Sequence, residues 1–199
     1  WSSDVCSSDL VSKLHAEVLP NGDSLTDKHV IGTCFLLLLA GMDTTWSSIS
    51  SSLLHLAKYS DDRKRLLVDP SLIPTATEEF LRAYAPVTMA RVVTEDAEIG
   101  GRAVKPGDKV FLPFGASNRD PEMFDDPDHI VIDREENRHF AFGIGIHRCL
   151  GSNLARMELV IAIEEWLERF PNFSVAENEA VSWGGTQIRG PRFVPTIIH

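Results

Sequence analysis

The sequence predicts a mainly α-helical fold carrying small antiparallel β-sheets. Two long stretches, residues 24–60 and 149–170, have apolar residues in a helical rather than an alternating pattern. Between and after them, short runs of strand-forming residues are separated by Gly and Pro turns, as small antiparallel strands require. The 199 residues are 43% hydrophobic, enough to bury a real core in one domain or slightly more.

Taken in order, residues 1–10 (WSSDVCSSDL) hold a near-repeat and no clear period, and read as a leader foreign to the fold. Residues 11–23 form a connector, with a short helix over 13–21 and a turn at Asn21-Gly22-Asp23. The main domain is expected over 24–199. Its first long helix, 24–60, has Ser24 or Thr26 as cap and Asp27 in its first turn. The centre is apolar almost all round, so the helix is expected to run through the core. Ala40-Gly41 and Asp43-Thr44-Thr45 interrupt that pattern. Glycine costs about 1 kcal/mol in a helix interior, and a buried acid with hydroxyls needs partners or solvent. Two readings stand here: a kink with satisfied side chains, or a groove where a ligand nears the backbone and protons are delivered.

Residues 61–74 form a connector with a short helix at 63–68. The helix at 75–84 (TATEEFLRAY) sets Glu79 and Arg82 three apart on one face, and Pro86 stops it. Strands are expected at 88–94 and 109–113, with turns at Gly100-Gly101 and Pro106-Gly107-Asp108. Residues 115–136 read as loop. The second long helix, 149–170, ends before Pro171. Strand fragments follow at 173–175, 181–183 and 193–198, with turns at Gly184-Gly185 and Gly190-Pro191.

Composition narrows the function. A net charge of -10 argues against a nucleic-acid partner. Cys6, Cys34 and Cys149 are too widely spaced for a disulfide framework or a zinc pattern. The apolar run 31–42 is short for a membrane span, and no basic segment with a cleavage signal precedes it. A cytoplasmic chain with no membrane or nucleic-acid partner is expected.

The chemistry concentrates in residues 139–156, HFAFGIGIHRCLGSNLAR. Cys149 lies between a glycine-punctuated loop and the start of a helix. Glycines let such a loop wrap closely around a flat group, and a helix N-terminus offers unpaired N–H donors and a favourable dipole to a thiolate. Phe142, Gly145, Cys149 and Gly151, with Gly143 and His147, match position for position the heme-binding loop of the cytochrome P450 monooxygenases, which this stretch resembles. Ala40, Gly41, Asp43 and Thr44 resemble that family's oxygen-side helix. Glu79 and Arg82 resemble its Glu-x-x-Arg pair, and Asn118, Arg119, Asp120, Pro121 and Phe124 its meander. The resemblance covers most of 24–199 and the C-terminal half of a family member.

The resemblance implies the cytochrome P450 fold and heme b (iron protoporphyrin IX) with Cys149 as axial iron ligand. It implies His147 and Arg91 at the heme propionates, Phe142 packed beside the cysteine, and Gly143 permitting the tight backbone. Gly41 would open space over the iron, and Asp43 and Thr44 would deliver protons for O–O cleavage. Glu79, Arg82 and Arg119 would brace the loop structurally. Ala40, Val87, Thr88 and Met89 become candidates for the substrate pocket, with residues 186–188 a further contributor. Activity would be O2-dependent hydroxylation of a small hydrophobic organic substrate, with electrons from a ferredoxin or flavodoxin-like donor and its reductase. Basic groups around Arg148 and Arg156 form either a donor-docking face or an ordinary charged helix surface. The alternatives are a catalytically incomplete heme-binding fragment, a peroxide-driven peroxygenase, and a cysteine hydrolase using Cys149 and His147. The last lacks an orienting third residue.

Overall fold

A computed structural model describes residues 9–185 and 187–199. The leader residues 1–8, with Cys6, and Thr186 of the pocket candidates lie outside the described residues. The chain divides into two compact units, 1–43 and 44–199.

In the first unit, helix α1 (Leu10–Ala16) starts on Asp9, whose carboxylate accepts from the Ser12 N–H at 2.8 Å. This helix begins earlier and ends earlier than the expected 13–21, because the cap at Asp9 sets its start. Gly22 takes φ +88 in the expected turn. Helix α2 (Asp27–Lys58) opens on Thr26, whose hydroxyl accepts from the His29 N–H at 3.3 Å.

The part of α2 in the first unit corrects one expectation. Ile31, Phe35, Leu36 and Leu39 are exposed, Ile31 by 69%. In this chain, therefore, the apolar side chains of this stretch lie at the surface rather than in a core. α2 is long and apolar enough to cross a membrane by length and composition alone, a property that core helices of globular proteins share. The C-terminal part of α2 nevertheless places Leu54, Leu56 and Ala57 in a protein core, which is how an apolar helix is used inside a globular protein.

In the second unit, that part of α2 is joined by α3 (Ser60–Val68), a 3-10 turn (Pro70–Leu72) and α4 (Ile73–Tyr84). Pro74 sits in the first turn of α4, where its missing N–H costs nothing. The helix ends at Ala85, before Pro86, since the residue preceding proline is driven out of helical geometry. Leu56, Leu66, Ile73, Phe80, Ile163, Leu167 and Phe173 form the main core between α2, α3, α4, α6 (Ser152–Arg169) and β5 (Phe173–Val175). A buried polar pin joins three helices: His55 Nε2 meets Asp62 at 2.8 Å, Nδ1 meets the Tyr84 hydroxyl at 3.2 Å, and the ring stacks on Tyr59. Burial pushes the His55 pKa down against the opposing pull of Asp62.

The sheets are four antiparallel pairs among the described residues. β1 (Thr88–Val92) pairs with β4 (Lys109–Pro113), from Thr88 opposite Pro113 to Val92 opposite Lys109. β2 (Ala97–Ile99) and β3 (Arg102–Val104) close over Gly100 and Gly101, both at positive φ, as a two-residue hairpin loop of this hand demands. A single-turn helix, α5 (Phe114–Ser117), follows β4. β5 pairs with β8 (Thr196–Ile198), and β6 (Ser182–Gly185) with β7 (Arg189–Phe193).

Gly184-Gly185 and Gly190-Pro191, expected as turns, lie inside β6 and β7. Proline is tolerated there because β7 has a single partner, so its missing N–H breaks no central ladder. α6 starts at Ser152, three residues past the expected start, which leaves Cys149 in the loop ahead of the helix.

Candidate functional site

The site is built on the long loop between α5 and α6. Phe140 and Ala141 enter it, and the Gly143 N–H donates to the Phe140 carbonyl at 2.8 Å. Gly143 and Gly145 take φ +67 and +68, a conformation that L-residues with a Cβ enter at a cost. A Cβ on Gly143 would also meet the Phe114 ring at 3.5 Å. The chain then makes a 3-10 turn (Gly145–His147) and returns, so that the Cys149 N–H donates to the Phe142 carbonyl at 2.9 Å. That bond closes the loop. It leaves the Cys149 thiol exposed among exposed apolar side chains, Ile144, Ile146 (97%) and Leu150. His147 is also exposed.

Two adjacent glutamates of α4 brace this region. Glu79 and Arg82, both fully buried, pair through two bonds of 2.8 Å. Arg82 also donates to the carbonyls of Asn118, Pro127 and His129 at 2.8–2.9 Å. Glu79 accepts further from the Val131 N–H, Arg134 and Asn137. Arg119 donates to the Ala83 carbonyl of α4 at 3.0 Å and to Asp128 at 3.1 Å. These bonds fold residues 118–137 into a fixed meander.

Glu78 was not singled out by the sequence analysis. Arg156 of α6 grips its carboxylate with two bonds, 2.6 and 2.9 Å, and His139 Nε2 reaches it at 3.0 Å. The Ala141 N–H donates to His139 Nδ1 at 3.2 Å, so Nε2 is the nitrogen that donates to Glu78. The Arg156 guanidinium lies 4.6 Å from the centre of the Phe142 ring. Arg156 is therefore committed to a partner 78 positions away, which sets it apart from an ordinary charged helix surface. The one available signal was the doubled acid in TATEEFLRAY: a helix turns about 100° per residue, so neighbouring glutamates address different neighbours.

Burial pushes the Glu78 carboxyl up, but hydrogen bonds from His139 and Arg156, with the Arg156 charge, outweigh it and hold the pKa down at about 2, from 4.5. The unfolded carboxyl thus takes its proton first as pH falls. Glu78 contributes its stability above about pH 4.5 and loses it as pH falls towards 2. Glu78→Gln is expected to flatten the stability curve over this range, measured as urea midpoints between about pH 5 and pH 3. An unchanged slope contradicts the assignment.

The strand-side candidates come together with the C-terminal hairpin. Val87 bridges to Ile188, the Thr88 N–H donates to the Gln187 carbonyl at 2.9 Å, and the Arg189 N–H donates to Pro86 at 2.7 Å. The Gln187 side-chain amide donates to Met89 Sδ at 3.7 Å. Arg91 is exposed on β1, its guanidinium donating to the Ala90 carbonyl at 2.9 Å. Ala40, Gly41 and Asp43 belong to the first unit and Thr44 opens the second, all on α2. The Thr44 carbonyl accepts from the Ser48 hydroxyl at 2.9 Å, and a Cβ on Gly41 would meet nothing within 4 Å.

The cytochrome P450 family model matches residues 3–69 and 71–181. The chain belongs to the cytochrome P450 family. It is 43% identical over 171 residues to the polyketide biosynthesis cytochrome P450 PksS of Bacillus subtilis, covering 84% of this chain and 42% of PksS. It is 45% identical over 158 residues to the biotin biosynthesis cytochrome P450 of the same organism, covering 79% and 40%. Among solved structures, CYP109E1 of Bacillus megaterium with testosterone superposes with a TM-score of 0.89 at 35% identity, covering 96% of this chain and 53% of that one. The chain spans about two fifths of these curated relatives' length, and its fold is that of the matching part of a cytochrome P450.

P450 membership implies a heme cofactor, and the loop residues fit one. An exposed cysteine on a loop that also exposes Ile144, Ile146 and Leu150 suits a flat apolar macrocycle whose iron would take a thiolate from the protein. Bare backbone at Gly143 and Gly145 permits close approach. No cluster of three or more His, Cys, Asp or Glu among the described residues could hold a metal by side chains alone.

Proposed function

We propose that the protein to which this chain belongs is a heme-thiolate monooxygenase that hydroxylates a small hydrophobic organic substrate with O2. Two electrons are taken from a ferredoxin or flavodoxin-like donor and its reductase. The observation that carries this reading is the exposed Cys149 sulfur, presented by a loop closed through its own amide on Phe142. When bound, heme supplies O2 binding and O–O cleavage, favoured by electron density from an axial thiolate.

The chain's own residues do the rest. Cys149 Sγ would hold the heme iron, with its own amide fixed on the Phe142 carbonyl. His147 and Arg91 offer cationic or N–H donors to the propionates, the arginine fork suiting a carboxylate. Phe142 would pack beside the cysteine and the heme. On α2 the Asp43 carboxylate collects protons from solvent and the Thr44 hydroxyl hands them on, as general acid catalysis requires. Gly41 and Ala40 keep side-chain bulk off the helix backbone. Val87, Thr88 and Met89, held by the 187–189 segment, line the substrate side. The CYP109E1 structure contains testosterone, which makes an apolar ligand of steroid size a reasonable first probe.

Heme titrated into the purified chain is expected to give, after reduction and addition of carbon monoxide, the red-shifted Soret band of thiolate ligation. Cys149→Ala is expected to lose that band. Heme uptake with the same spectrum in Cys149→Ala overturns the proposal.

A further inference from the structure

The Glu78 cluster is not needed to explain heme ligation, yet it converges on the cysteine loop. Its path is short. Glu78 on α4 takes both donors of Arg156 on α6, at 2.6 and 2.9 Å, and the Nε2 of His139 at the loop entry. The Arg156 guanidinium covers the Phe142 ring at 4.6 Å, and the His139 ring flanks the same ring at 6.2 Å. The Phe142 carbonyl in turn receives the Cys149 N–H at 2.9 Å. A two-bond Arg–carboxylate fork fixes direction as well as distance, and a guanidinium stacked on a ring holds that ring in place. α4 and α6 both pack in the buried core, so the fork is anchored at each end.

We propose that Arg156, held by Glu78 and His139, is the positioning residue of the cysteine loop: it clamps the Phe142 ring and so fixes the carbonyl that holds the Cys149 amide. The two adjacent acids of α4 then divide the work. Glu79 braces the meander before the loop, and Glu78 braces the loop itself. Arg156 is withdrawn from any surface that docks an electron donor, because its charge is already matched by a carboxylate. The consequence for heme rests on the reading of Cys149 as the axial ligand; the clamp does not.

The test separates the two. Amide hydrogen exchange, resolved by peptide, is followed in the full chain with and without heme. In heme-free protein, Arg156→Met and Glu78→Gln are expected to speed exchange in residues 140–150 at least tenfold, with residues 73–77 and 159–167 unchanged. Arg156→Lys keeps the charge but not the fork or the stacking, and is expected to fall between. In heme-loaded protein the same variants are expected to hold a smaller share of the thiolate-type carbon monoxide band. Unchanged exchange in 140–150 overturns the clamp. So does a rise spread evenly over the chain in Arg156→Lys, which marks general loosening. Faster loop exchange together with a thiolate band that survives Cys149→Ala upholds the clamp and refutes the ligand assignment instead.

Discussion

Arg82→Met is expected to remove about 3–5 kcal/mol of folding stability, the cost of stranding a buried charge. Both partners of the Glu79–Arg82 pair are fully buried. The substitution takes away two bonds to Glu79 and three donors to the carbonyls of Asn118, Pro127 and His129. Arg134 still pairs with Glu79 at 3.1 Å, so part of the charge stays balanced. The His129 carbonyl also accepts from Arg134, at 3.5 Å, but no second donor among the described bonds reaches the carbonyls of Asn118 and Pro127. Domains hold about 5–15 kcal/mol in total, so a loss of this size brings the chain close to unfolding. Urea titration by circular dichroism measures it. The double variant Glu79→Met/Arg82→Met is expected to be less damaged than the sum of its parts, since the two buried charges leave together; of the remaining charges Arg134 loses its carboxylate partner but keeps its bond to the Asp125 carbonyl at 2.7 Å. A loss below about 1 kcal/mol, the value of an exposed pair, contradicts the account.

Gly190→Ala is expected to cost about 1–3 kcal/mol by overpacking. A Cβ at Gly190 would lie 2.4 Å from Ser47 Cβ, 2.5 Å from its hydroxyl oxygen and 2.9 Å from its Cα. Ser47 is fully buried on α2, and the Cα is backbone that no rotamer can move aside. β7 must therefore step away from α2. That strains the bonds that tie Arg189 to Pro86 and Gln187 to Thr88, and with them the candidate substrate strand. Ser47→Gly removes the two nearest atoms, so the double variant is expected to be more stable than Gly190→Ala alone despite a glycine inside a helix, itself about 1 kcal/mol. Thermal melts of the four proteins test this. Simple additivity of the two losses contradicts a direct clash.

Much of the architecture is legible in the residues. Period and punctuation locate α4, β4 and the Gly100-Gly101 hairpin, because helix spacing, proline stops and left-handed glycines act locally. The motif positions of the cysteine loop are legible for the same reason. What is not legible depends on distant partners. Glu79 and Arg82 share a helix face by spacing, but their complete burial comes from the meander at 118–137 wrapping over them. Glu78 looks like a surface acid until Arg156 and His139 arrive from elsewhere in the chain. Gly190 and Pro191 have turn chemistry, and pairing with β6 overrides it. The apolar run of α2 is silent about what covers it: the same composition serves a buried helix and, for residues 31–42, an exposed face.

X-ray absorption at the iron edge tests the central claim most directly, because it reads the atoms bound to the metal. With heme loaded into the chain, the account predicts one sulfur in the iron coordination shell, present in the parent and absent in Cys149→Ala. A shell of nitrogen and oxygen alone in the parent, or a sulfur that persists in Cys149→Ala, would contradict it.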